Sequence, residues 1–158
     1  MKTAIEALPS PPRLNYQGAS TKAFQAMLAL EATVRSLGLE PPLLELVKLR
    51  ASQINGCAYC IDLHTREAHA AGESQRRLHL VAAWRETHFF SARERAALAW
   101  TEAVTLVAET HVPDELFEQA SEQFSETELV NLTLAIISIN GWNRLAISFR
   151  RGPEGSAQ

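Results

Sequence analysis

The sequence has no basic excess. Its 15 Lys and Arg are set against 18 Asp and Glu in 158 residues, for a formal net charge of −3. A protein that holds nucleic acid needs a basic stripe to neutralise phosphates, and none is present, so that partner class is excluded. Long apolar runs are also missing. No strictly apolar stretch exceeds five residues, as at Ala96 to Trp100, and Leu134 to Ile137 has four; all fall far short of the roughly 20 residues that span a bilayer, so no membrane partner is expected. Met1 to Pro12 contains three prolines, one lysine and Glu6 but no apolar core of a signal peptide, which predicts a cytoplasmic location. Strand signals are lacking too: there is no sustained apolar/polar alternation and no hairpin dipeptide between β-branched runs.

What is there is helical. Hydrophobic residues make up 46% of the chain, and a chain of this length buries roughly 70% of its unfolded surface, enough for one core without staples. The periodicity predicts a single all-α domain over residues 19–151, preceded by an extended arm at 1–18 and followed by a disordered tail at 152–158. Within the domain, Ser20 is expected to cap a first helix that stops at Gly38. Pro41-Pro42 opens a second that stops at Gly56, and the two cysteines open a third that runs to Gly72. A fourth is expected from Ser74 to His88. Capping boxes at Ser91/Glu94 and Ser125/Glu128 open a fifth and a last helix, with a shorter one from Pro113 to Phe124 between them. The last helix carries Leu129, Leu132, Ile136 and Ile139 on one side and is apolar on more than one face, as a central or subunit-contact helix would be. Arg76-Arg77 reads as a solvated basic pair.

Cysteine is scarce, and its placement is the strongest chemical signal. The two cysteines are Cys57 and Cys60. In a reducing compartment so close a pair points to redox or metal chemistry more than to a staple, because closing a short loop removes little chain entropy. On an ideal helix Cys57, Cys60 and His64 fall at about 0°, 300° and 340°, one narrow sector, whereas Tyr59 falls at about 200° and points away. The helix N-terminus favours a thiolate, and His64 lies one turn beyond Cys60. Cys60 is therefore the candidate nucleophile and Cys57 the resolving thiol. Glu45, twelve residues upstream of Cys57, reaches the cluster if the second and third helices pack antiparallel about Gly56, and can then act on the imidazole or relay a proton. A zinc half-site is the metal alternative, with Cys57, Cys60 and His64 as three ligands and Glu45 or a neighbouring chain as the fourth; His69, at about 120°, faces elsewhere. A thioredoxin-type site is disfavoured because no βαβ setting surrounds the motif.

The run Glu45 to His64, with Cys57-Ala58-Tyr59-Cys60 and Ile61-Asp62-Leu63-His64, resembles the E-x11-CxxC-x3-H signature of alkylhydroperoxidase D-like proteins of the carboxymuconolactone decarboxylase superfamily. The segment Ile139-Asn140-Gly141-Trp142-Asn143-Arg144 is similar to the last helix of the peroxidase-related members. The resemblance covers roughly residues 41–150. It implies an all-helical homo-oligomer, a trimer or a hexamer, that reduces hydrogen peroxide or alkyl hydroperoxides in antioxidant defence. It also implies site roles: Cys60 peroxidatic, Cys57 resolving, His64 the base and Glu45 the proton-relay carboxylate. The disulfide so formed needs an external dithiol or thioredoxin-like reductant, and no cofactor or metal is implied. The best-known branch carries histidine where this chain has Tyr59, so a two-histidine relay does not carry over. A disulfide oxidoreductase with little peroxidase activity and a non-catalytic metal-binding module are the competing readings.

Overall fold

A computed structural model describes residues 11–155. Among these described residues nine α-helices follow in chain order: α1 (Tyr16–Ala19), α2 (Thr21–Ser36), α3 (Pro41–Asn55), α4 (Ala58–Ala70), α5 (Gln75–Leu80), α6 (Ala92–Thr105), α7 (Val107–Thr110), α8 (Asp114–Ser121) and α9 (Glu126–Phe149). A 3₁₀ segment, Val81–Glu86, continues α5. No strand occurs among the described residues.

The helix ends are set by local chemistry. Ser20 accepts from the Ala23 N–H at the start of α2. Pro41 and Pro42 occupy the first turn of α3, where the missing N–H costs nothing. Both capping boxes form, with Ser91 and Glu94 opening α6 and Ser125 and Glu128 opening α9. Gly56 takes the left-handed conformation, φ 70°, that ends α3. With only Cys57 between this glycine and α4, α3 and α4 fold back on one another as a hairpin.

The 24-residue α9 packs against α2, α3, α4, α6 and α8. Leu129, Leu132, Ile136 and Ile139 are buried as the sequence predicts, each worth roughly 1.5–3 kcal/mol of transfer free energy. One apolar cluster joins α2, α3, α6, α8 and α9 through Val34, Leu44, Val47, Trp100, Ala120 and Leu132. A second joins α3, α4, α5 and α6 through Leu46, Leu49, Ala68, Leu78 and Leu98. Between them a polar ladder pins the hairpin to α9. Asn55 Nδ2 donates to Asn140 Oδ1 and Asn143 Oδ1, both at 2.9 Å, and Asn143 Nδ2 donates to Ser52 Oγ at 3.0 Å. The α3–α4 turn therefore has a fixed position on the core.

Three expectations need correction. The arm is not extended throughout: Asn15 accepts from the Gln17 N–H, starting α1, and Tyr16 is buried. Residues 1–10 of the expected arm and 156–158 of the expected tail lie outside the described residues; 152–154 have no regular secondary structure and residue 155 is a bend. The fourth helix does not run unbroken to His88. The chain tightens into the 3₁₀ segment from Val81, Ala83 leaves the helical region at φ −120°, ψ 30°, and Thr87 is extended; Arg95 on α6 donates to the carbonyls of Trp84 and Thr87 at 3.0 and 2.8 Å. Arg77 is not on a solvated face; it pairs with Glu73 and Glu94 and lies over the Phe90 ring.

Candidate active site

Cys57 is the N-cap of α4. Its Sγ accepts from the Cys60 N–H at 3.3 Å, and Cys60 sits at the third helical position, with Cα atoms 5.3 Å apart and the two sulfurs joined as a disulfide. Both are buried, at 1% and 3% exposure, against Ala51, Ile139 and Ala146. They differ in what they face. Cys60 lines a pocket of about 200 Å³ together with His64, and Cys57 does not.

The expected meeting of Glu45 and His64 is present. Across the α3–α4 hairpin, His64 Nδ1 lies 2.9 Å from Glu45 Oε2. Nδ1 donates to the carboxylate, which leaves Nε2 as the free ring nitrogen. Burial pushes the Glu45 carboxyl up, but the His64 hydrogen bond and the charges of His64, Lys48 and Arg35 outweigh it and hold Glu45 below the ordinary carboxylate value.

Behind this pair lies a charged cluster that sequence reasoning did not find. Lys48, 1% exposed, sits on α3 with its Nζ between Glu31 of α2 and Glu45, the latter at 3.8 Å. Glu31 also accepts from Ser138 Oγ of α9 at 3.0 Å and from Arg35 Nε at 3.1 Å. Burial alone would raise the Glu31 carboxyl; Lys48, Ser138 and Arg35 together hold it down. Glu67 completes the cluster, 3.7 Å from His64 Nδ1 and 3.8 Å from Arg35. Residues of four helices, α2, α3, α4 and α9, thus form one charged cluster, and Glu45 and Glu67 join it to the imidazole. The signal was a lysine, Lys48, placed one turn from Leu44 and one turn from Ser52 inside a buried helix; its partners, remote in sequence, could not be read.

The possible ligands that lie together among the described residues are Glu45, His64 and Glu67, within 4.8 Å of one another and without a cysteine. This is not the Cys57, Cys60 and His64 set of the alternative zinc reading. Lys48 beside Glu45 and Arg35 beside Glu67 already supply positive charge to two of the three carboxylate and imidazole groups. His69 instead meets the Glu73 carbonyl at 3.2 Å, at the end of α4.

The pocket walls are aromatic: Tyr16, Phe24, Tyr59 and Trp142. Tyr59 is the clear departure from the helical projection, since it lines the same pocket as Cys60 and His64. Tyr59 and Trp142 of α9 both pack against the apolar cluster that holds the cysteines, and with Arg151 they line the pocket. The Arg151 guanidinium lies 4.1 Å over the Tyr59 ring. Phe24 meets Trp142 and Tyr16 edge-on, at centroid distances of 5.8 and 6.4 Å.

An all-helical fold whose central hairpin presents a CxxC pair beside a carboxylate–imidazole couple defines the class. The model of the carboxymuconolactone decarboxylase family matches residues 21–103, and the chain belongs to that family. It is 38% identical over 136 residues to the uncharacterized protein YdfG of Bacillus subtilis (strain 168), covering 86% of this chain and 92% of YdfG. Among solved structures it is similar to ATU0492 of Agrobacterium tumefaciens, a protein of unknown function assigned provisionally to antioxidant defence as an AhpD. That match has 46% identity and a TM-score of 0.90, covering 92% of this chain and all of that one. The debrominase Bmp8 shares the fold at a TM-score of 0.80 and 19% identity, over 88% of this chain and 75% of Bmp8. Among the described residues no helix is long and apolar enough to cross a membrane.

Proposed function

We propose that the chain is a thiol-dependent peroxidase acting on hydrogen peroxide or alkyl hydroperoxides in antioxidant defence. The observation that carries this reading is the asymmetry of the pair: Cys60 opens onto a pocket beside an imidazole held by Glu45, while Cys57 is sealed behind it. In the reduced protein the Cys60 thiolate attacks the terminal peroxide oxygen. The O–O bond breaks, the sulfur gives up two electrons and becomes a sulfenic acid, and the leaving alkoxide takes up the proton that His64 Nε2 drew from the Cys60 thiol when the thiolate formed. Cys57 then attacks the sulfenic sulfur, expelling water and forming the disulfide. An external dithiol or thioredoxin-like protein returns the pair to thiols by exchange. The likeness to ATU0492, with its provisional antioxidant assignment, supports the same reading.

A homo-oligomer, trimer or hexamer, belongs to the proposal. Phe117 of α8 and Val130 and Ile137 of α9 are exposed around an apolar groove that a second copy would cover. The test is steady-state peroxide consumption with a panel of dithiol donors. Turnover that requires both a peroxide and a dithiol supports the proposal. Rapid exchange with protein disulfides but no peroxide consumption would replace it with a disulfide oxidoreductase.

A further inference from the structure

The pocket has two chemically different ends. Its inner end, beside His64, is lined by Glu31, Glu67 and Arg35, and Arg35 is committed to those two carboxylates at 3.1 and 3.8 Å. Its outer end is Arg151. This guanidinium is 26% exposed. It reaches Tyr16 Oη at 3.3 Å and has one carboxylate partner among the described residues, Glu154 at 3.2 Å. Glu154 is 77% exposed and lies three residues along the chain, in a segment without regular secondary structure. Such a surface pair is worth little and yields readily to a better-placed anion. The flat stacking on Tyr59 fixes the plane of the guanidinium and leaves its edge, with further N–H donors, free for a carboxylate. Between the two ends stand the aromatic walls, which pack against a flat apolar body, a contact that hydrogen peroxide is too small and polar to make.

We infer that the site selects organic hydroperoxides with an aromatic or otherwise flat unsaturated body and an anionic group, and that Arg151 is the residue that reads the anion. This rests on the peroxidase reading and narrows its substrate. The carboxylates of the inner end repel the anion, so the substrate enters with its charge at Arg151 and its O–O bond directed toward Cys60 and His64. Arg151 is a specificity residue and takes no part in bond breaking.

The probes are 4-(2-hydroperoxypropan-2-yl)benzoate and cumene hydroperoxide, which differ by one carboxylate. With the reduced protein and a dithiol donor, kcat/KM should favour the carboxylate probe by about tenfold or more, chiefly through KM. In Arg151→Gln the ratio of the two values should collapse toward one, and Arg151→Lys should keep part of it. Because the readout is a ratio, a general loss of activity does not mimic the result. A second measurement needs no turnover: calorimetric binding of the corresponding alcohols to the disulfide form, where the carboxylate alcohol should bind about tenfold tighter. Both peroxides consumed with equal kcat/KM, or a preference that survives Arg151→Gln, overturns the inference and leaves the peroxidase intact. Neither peroxide consumed, with the carboxylate alcohol still preferred through Arg151, overturns the peroxidase and leaves the anion site.

Discussion

Glu45 on α3 and His64 on α4 meet at 2.9 Å although nineteen positions separate them, and the left-handed Gly56 is what lets the chain turn back so that they can. The carboxylate fixes the ring orientation and directs the remaining nitrogen away from itself. If this couple serves the first chemical step, His64→Ala should slow the reaction of reduced protein with peroxide by about 100-fold or more. It should also change the pH profile of Cys60 alkylation. Glu45→Gln, which keeps a hydrogen-bond acceptor but removes the charge, should fall between the two. Stopped-flow peroxide consumption and iodoacetamide labelling across pH check this.

The two sulfurs have different claims to the nucleophilic role. Cys57 has the backbone N–H of Cys60, and Cys60 has the pocket. Access decides, because a peroxide must reach the sulfur it oxidises. Cys60→Ser should abolish turnover, and Cys57→Ser should leave a sulfenic acid on Cys60 that a dimedone-type reagent traps. Mass spectrometry finding the adduct on Cys57 in the converse variant would reverse the roles.

Lys48 is buried between two carboxylates, and removing one partner from such a group leaves uncompensated charge. Lys48→Met should destabilise the fold by about 3–5 kcal/mol. Adding Glu31→Gln should recover part of the loss, since it removes the charge of one of the two carboxylates that Lys48 had neutralised. Urea denaturation of the single and double variants measures both effects.

Acid should weaken the same cluster. Glu31 and Glu45 are both held below their ordinary value of 4.5 in the folded state. Their contribution is complete above that value and is lost as pH falls through the lower folded values. The urea midpoint should therefore drop below pH 4.5, and Glu31→Gln, less stable at pH 7, should show a shallower drop. An identical acid limb in wild type and variant would contradict this.

Gly56 has open space where a Cβ would point, so only its backbone conformation is at stake. Gly56→Ala should cost about 1–2 kcal/mol, with Gly56→Asn costing less, as equilibrium unfolding would show.

Much of the scaffold was legible because its signals are local. Gly56, the Pro41-Pro42 pair and the two capping boxes act within a few residues of themselves, and each sets the helix end that the sequence predicts. Cys57, Cys60, His64 and Glu45 were legible for a related reason: one helix and one tight turn suffice to bring them together. Tyr59 was misplaced because a projection down α4 knows nothing of Trp142 or Arg151, which line the pocket with it. The irregular backbone at Ala83 has no glycine or proline to announce it, and buried Lys48 meets Glu31, which Ser138 also holds; these last partners are distant in sequence and follow no periodicity. Long-range polar pairing was the part that could not be read.

The central claim is that the Cys57–Cys60 pair is oxidised by peroxide through a selectively reactive Cys60. The most direct test is mass spectrometry of the fully reduced protein at short times after one equivalent of hydrogen peroxide or cumene hydroperoxide. The account predicts an intramolecular Cys57–Cys60 disulfide, formed much faster than free cysteine is oxidised under the same conditions. Two intact thiols, oxidised no faster than free cysteine by either peroxide, would contradict it.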